Sequence, residues 1–368
     1  MSVVAQASPG PVLVPRRPRQ FGWDSAGLLA GSVLSGTCLV WVVFYQLTLL
    51  SGAAGFVVCS YVASLAIYWS VTALVEGRLA AKDRVIAAVM WSTTVGIFCA
   101  LALVIGFVVV KGARYMSLHY FTQDAAGIGP SQAASGRGGG LHAIVGTLEQ
   151  NALCVAMGAP VAVMTAVFLN EIDSRLTWMV RTVVTAMSGI PSIVAGIFVF
   201  SVWSLRWHHG HSGFAGALAL AVLILPTITR TTEEVLRLVP GGLREAALAL
   251  GAPEWRTVWS VVLPTARAGV ITAVVLGAAL TVGETAPLIF TSFSSSVTNV
   301  NPFSGPQAAL PLTTFTLVNQ PVAAYQALAY TTALVLLVVV GILFALTRVL
   351  GSRRPASGGA RRRRREGA

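Results

Sequence analysis

The chain has 368 residues, 55% of them hydrophobic and only 10% charged, with a net charge of +12 at pH 7 and a mean hydropathy of +0.76. Soluble proteins carry roughly a quarter charged residues, so the composition excludes a soluble globular protein and predicts an all-α polytopic membrane protein. The positive residues stand beside the apolar runs and in the tails, a distribution that argues against nucleic-acid binding and for a lipid surface as the partner of that charge.

In chain order, residues 1–25 form a basic tail, expected to be disordered over Met1–Phe21, with Arg16, Arg17 and Arg19 as an anchor. No cleavable signal peptide is expected, because the first apolar run is too long and lacks a convincing cleavage site. Eight apolar runs near the ~20 residues needed to cross a bilayer follow: Ala26–Leu50, Ala53–Val75, Val85–Val110, His142–Phe168, Thr182–Trp203, Phe214–Thr229, Val270–Ser292 and Ala327–Thr347. Ser51 and Gly52 alone separate the first two, so residues 26–84 read as a tight transmembrane hairpin. Residues 85–350 form a second domain, and 351–368 an Arg-rich tail. The four cysteines, Cys38, Cys59, Cys99 and Cys154, all lie in apolar runs and suggest neither a disulfide framework nor a metal site.

Charge sets the expected orientation. With the N-terminus in the cytosol, Arg16, Arg17, Arg19, Arg78, Lys82, Arg84, Arg175, Arg181, Arg230, Arg237, Arg244, Arg256, Arg267, Arg348, Arg353, Arg354 and Arg361–Arg365 all lie inside. Only Lys111, Arg114, Arg137 and Arg206 lie outside. An odd number of spans would strand one basic terminus outside, so both termini are expected in the cytosol of a multi-pass cell-membrane protein. The outer loop 111–141 is Gly/Ser-rich and expected to be mobile near Gly136–Gly140. Ala308–Pro321, another outer stretch, alternates apolar and Thr residues and reads as a re-entrant or interfacial segment. His208, His209 and His211 lie close together but without a carboxylate or a fixed metal-ligand spacing, and no metal site is assigned to them.

The most charged internal segment is 230–264. Its spacing predicts a helix over Arg230–Leu238, with Arg230/Glu234 and Glu233/Arg237 pairs and a Thr231/Glu234 capping box. A break at Pro240–Gly242 precedes an alanine-rich helix over Leu243–Leu250. Gly251 sits where a left-handed cap belongs, and another helix over Glu254–Val262 is stopped or kinked by Pro264. Such a loop either only keeps charge out of lipid or docks a partner. Ala246, Ala247 and Ala249 allow close approach of a partner surface, and Glu245 offers it a charge.

The chain has no Walker A motif: Lys82 and Lys111, its only lysines, follow no Gly-rich loop. It is therefore expected to bind no cofactor and to be a non-enzymatic subunit whose nucleotide is handled by a partner. Glu284, in the apolar context AALTVGETAPLIF, is the costliest residue, since an ionised group at membrane depth needs pairing or hydration. Pro287 frees the carbonyl of Gly283 beside it, with Thr281 and Thr285 within about one turn. Either Glu284 ties two helices as an ion pair or it lines a solute path with Thr285. Arg230 is its basic partner candidate by topology. Ser188, Ser192 and Ala195 form a small-residue stripe suited to helix packing or solute contact.

The segment E245-A-A-x-x-x-G251 with Leu263-Pro264 downstream resembles the EAA coupling loop of ABC-importer permeases. SGIPSIVAG (188–196), RTTEE (230–234), LREAA (243–247) and GETAPL (283–288) together resemble the phosphate-specific permease family of PstA type, over about His142–Leu350. The resemblance implies a MetI-like core of about six helices preceded by two extra ones. It also implies a C-type permease partner, an ATPase dimer holding ATP and Mg, an extracytoplasmic phosphate-binding protein, and inorganic phosphate as solute. It assigns ATPase coupling to Glu245, Ala246, Ala247 and Gly251. Sulfate or molybdate, or a phosphate-sensing regulatory role, are the alternatives. The family often carries an Arg shortly before GETAPL; Leu280 and Thr281 stand there in this chain.

Overall fold

The computed structural model describes residues 23–47, 52–129, 131, 133 and 138–352, and among them finds helices and no strand. The basic anchor Arg16–Arg19, Gly136 and Arg137 of the Gly136–Gly140 stretch, and the Arg361–Arg365 run lie outside the described residues. Among the described residues seven helices are long and apolar enough to cross a membrane, and one bent pair makes an eighth candidate. The chain divides into two compact units, with the boundary between Leu103 and Val104.

In the first unit, α1 (Trp23–Val42) runs on through a π-helical turn (Val43–Leu47) and pairs with α2 (Ala53–Glu76). Gly36 is what lets them close: a Cβ there would meet the Ser64 backbone at 2.6 Å. Gly77, at φ +95°, turns the chain into α3 (Arg78–Ala113), and Arg84 reaches back across that turn to Glu76 at 2.7 Å. The 36 residues of α3 measure about 54 Å, well beyond the ~30 Å hydrocarbon thickness.

The second unit is built on α5 (Leu141–Glu171) packed along α8 (Gly213–Arg237). Small residues carry this contact. Cys154, Ala159 and Ala162 on α5 meet Ala217, Leu220, Ala221, Ile224 and Ile228 on α8, and Gly158 lies against Ile224. Thr229 donates to the Ala162 carbonyl at 3.2 Å across the pair. This is how membrane helices associate when hydrophobicity alone gives no preference between helix and lipid. At one end α4 (Leu118–Thr122) is pinned by Tyr120, whose hydroxyl donates to Thr332 at 3.0 Å. Burial pushes that phenol up to about 12. At the same end Asp124 accepts from the Thr298 backbone at 3.1 Å and from Ala126 at 3.2 Å, bonds that lower its carboxyl below the usual value.

Three expected spans differ from the observed helices. The fifth is broken: α6 (Arg175–Met187) and α7 (Ser192–Val199, continuing as a π-turn to Arg206) meet at 102°. Pro191 has no N–H and disfavours helix at the residue before it. Ser188 and Ser192 therefore fall on opposite sides of a break, and no continuous stripe forms. The sixth is longer: α8 runs unbroken to Arg237, so Arg230–Leu238 is no separate helix. Thr231 is not a cap either, since its hydroxyl returns to the Thr227 carbonyl at 2.9 Å. The seventh starts earlier and ends earlier. Short α10 (Glu254–Thr257) passes through a π-turn (Val258–Val262) into α11 (Leu263–Val282). Pro264 does not stop it, because it falls in the first turn of α11, where a missing N–H costs little. After a break at 283–285, α12 (Ala286–Thr291) follows.

The expected re-entrant stretch contains α13 (Leu310–Val318), whose first turn is buried and whose Leu310 N–H donates to Thr147 on α5 at 2.7 Å. It packs on α14 (Ala323–Ser352). His209 stacks on Trp203 and His211 on Phe200, with no metal-binding cluster among the described residues.

Candidate functional site

Pro240 is the N-cap of α9 (Gly241–Ala249), the alanine-rich helix at the end of the second unit opposite Asp124. Gly251 ends it at φ +80°, a conformation that side chains resist. The Gly251 N–H donates to the Leu248 carbonyl at 2.9 Å and the Ala252 N–H to that of Ala247 at 3.2 Å, the double closure of a Schellman cap. Glu245, Ala246, Ala249 and Gly251 are exposed, as are Leu250 at 89% and Leu238 at 82%. Ala247 differs from expectation: it is buried against the chain itself, so the face open to a partner consists of Glu245, Ala246, Ala249 and the exposed leucines.

The anchoring of α9 comes from a residue that pattern reading left unassigned. Arg244 donates to Glu171 at the end of α5 at 2.9 Å, and to the Val239 and Leu236 carbonyls at 3.1 and 3.2 Å. One guanidinium thus holds α9 to the ends of both central helices. Beside it, Glu233 is 7% exposed and bonded at 2.6 Å to both Arg181 of α6 and Arg237. The expected Glu233/Arg237 pair forms; no Arg230–Glu234 pair is seen, and Arg230 is exposed. The signal for Arg181 and Glu171 was a charge at the end of each apolar run, but their partners are 52 and 73 positions away in sequence.

At the other break, Glu284 is half-buried and lies between α11 and α12, outside any helix, with its N–H on the Thr281 carbonyl at 3.1 Å. Thr285 is the N-cap of α12 and makes no side-chain cap. Arg230 is not Glu284's partner. Gly277 of α11 packs on Ile224 and Ile228, and Gly269 on Val235, so the helices run antiparallel. Glu284 therefore falls on the order of 15 Å from Arg230 along the axes at 1.5 Å per residue. The helix that follows this break packs on the second half of the fifth span: α12 lies on α7, where a Cβ on Gly196 would strike the Pro287 backbone at 2.5 Å. Two sequence motifs read separately thus form one contact.

Residues 158–354 match the family of binding-protein-dependent transport system inner membrane components. The chain belongs to that family. It is 40% identical over 240 residues to the phosphate transport system permease protein PstA 1 of Mycobacterium tuberculosis (strain CDC 1551 / Oshkosh), covering 64% of this chain and 78% of that protein. It is 38% identical over 260 residues to PstA of Mycobacterium leprae (69% and 84% covered), and 35% over 243 residues to PstA of Pasteurella multocida (66% and 84%). As a family member it is a multi-pass transport component rather than an enzyme, and the matched residues lie in its second unit.

Proposed function

We propose that this chain is the A-type permease subunit of an ATP-driven importer of inorganic phosphate. The observation that carries the reading is the 40% identity to a phosphate transport permease over 240 residues. In this reading the chain itself binds no cofactor. It pairs with a C-type permease, two ATPase copies holding ATP and Mg, and an extracytoplasmic phosphate-binding protein. Membrane lipid surrounds it, and nucleic acid has no part.

The chain's own residues then divide the work. The exposed face of α9 seats in the ATPase, and Arg244 passes its displacement to α5 and α8 together, because it bonds to the ends of both. These helices are close-packed through small residues and move as one body. The paired breaks at Gly189–Pro191 and 283–285 are the points where the spans bend without rupturing a helix ladder. Glu284 and Thr285, at one of these breaks, border the solute path.

Among the described residues Glu284 makes no side-chain ion pair, so neutralising it breaks none there. Glu284→Gln is expected to remain at normal level in the membrane while phosphate uptake falls at least ten-fold. Normal uptake at normal level would remove Glu284 from the path. Competition of that uptake by sulfate or molybdate would reassign the solute.

Both termini are placed in the cytosol. Single cysteines in place of Gly10 and Gly359 are expected to resist an impermeant thiol reagent in intact cells, and one in place of Ser135 to react. Labelling of either terminus from outside would reverse the orientation.

A further inference from the structure

In the first unit, α1 and α2 close on each other at Gly36, but α3 does not close fully on the pair. Between them runs a groove of about 760 Å³. On α3 its wall is the single helical stripe Arg84, Ala88, Trp91 and Val95, and Ser32 of α1 and Ser64 of α2 face it. Tyr61 and Ser92 join across it at 2.7 Å. Leu29, Val33, Leu65 and Tyr68 complete the lining, and the walls are mostly carbon.

Protein interiors leave few voids larger than a water molecule, and an apolar cavity does not hold water well. What fills this groove must supply dispersion contacts along its length. From Arg84 to Val95 is eleven residues, about 16 Å of helix, close to half of the ~30 Å hydrocarbon core, that is, one leaflet. The polar end is equally specific. Arg84 gives Nη2 to Glu76 at 2.7–2.8 Å, while its Nη1 is buried and without a hydrogen-bond partner. Arg78 and Lys82 are exposed beside it at the α2–α3 turn, where an interfacial basic cluster belongs.

We propose that this groove is a binding site for one anionic glycerophospholipid, its phosphate beside the partly exposed Arg84 guanidinium and an acyl chain lying along Ala88, Trp91 and Val95. The basic residues of the turn favour a net negative headgroup over a zwitterionic one. The site gives the two leading helices a task, lipid capture, that is independent of the solute carried by the second unit.

The test uses the full-length chain reconstituted in bilayers of equal phosphatidylglycerol and phosphatidylcholine, exchanged into detergent and weighed by native mass spectrometry. The wild type is expected to retain about one phosphatidylglycerol per chain. Ala88→Trp, which fills the groove, is expected to retain none, and Arg84→Gln to lose the preference for phosphatidylglycerol. Met90→Trp, on an exposed part of α3 outside the groove, serves as the folding control and is expected to match the wild type. A photoreactive residue in place of Ala87 is expected to give a lipid adduct. Retention of lipid by Ala88→Trp at the wild-type level, no retained lipid in the wild type, or a photo-adduct to a protein chain would each overturn the proposal. The last would assign the groove to a partner helix or a second copy.

Discussion

Gly251→Pro is expected to abolish phosphate uptake while the protein still inserts and accumulates. Proline holds φ near −65°, whereas Gly251 sits at +80°, and proline also removes the N–H given to Leu248. Pro in an incompatible conformation costs about 3 kcal/mol or more, and here the cost falls on the last turn of an exposed nine-residue helix rather than on the bundle. The cap opens and the Glu245–Leu250 face loses its shape. Gly251→Ala keeps the N–H and carries only a left-handed penalty of about 1–2 kcal/mol, so it is expected to lose uptake only partly. Glu245→Lys leaves the helix intact and reverses the charge offered to the ATPase, so it is expected to weaken ATPase co-purification without changing the permease level. Wild-type uptake in both Gly251→Pro and Glu245→Lys would show that this face does not couple.

Arg244→Ala should have the second largest effect. It removes three hydrogen bonds from one cation, worth about 1.5–3 kcal/mol each when geometry is good, and the partial exposure of the Arg244–Glu171 pair reduces that toward about 2–4 kcal/mol in all. The loss is local. Glu171 and the Leu236 and Val239 carbonyls lose their common donor, and α9 is no longer tied to α5 and α8. The expected result is protein at near-normal level, faster proteolysis between Leu238 and Leu243, and uptake reduced at least ten-fold relative to ATP hydrolysed. Arg244→Lys supplies a charge without the planar fork and is expected to recover only part of the coupling. An unchanged ratio of uptake to hydrolysis in Arg244→Ala would mean that α9 transmits through its buried Ala247 side alone.

Much of the architecture is legible in the residues because the bilayer imposes it. Twenty-residue apolar runs form helices, since a helix is the backbone that satisfies its polar groups in lipid within a single segment. The capped helix at Gly251 was legible for a similar reason: glycine at that phase ends a helix whatever surrounds it. Pro264, Thr231 and Glu284 were misjudged as local signals. A π-turn at 258–262 shifted Pro264 into a first turn, where it is harmless, and the pairing of Glu233 carried α8 through Thr231 to Arg237. Gly283 and Pro287 broke the seventh span, which put Glu284 between helices instead of inside one.

Composition and short-range pattern thus determined the fold class, most of the span-forming runs and the glycine-capped helix α9. Tertiary structure decided which distant charges meet. It joined Arg244 to Glu171, Arg181 to Glu233 and Gly196 of α7 to Pro287 of α12, none of them neighbours in sequence. The physical reason is that helix formation depends on contacts three to five residues apart, whereas these pairings depend on how antiparallel helices of different lengths end beside one another. That is set by small-residue packing along α5, α8 and α11, which no single segment specifies alone.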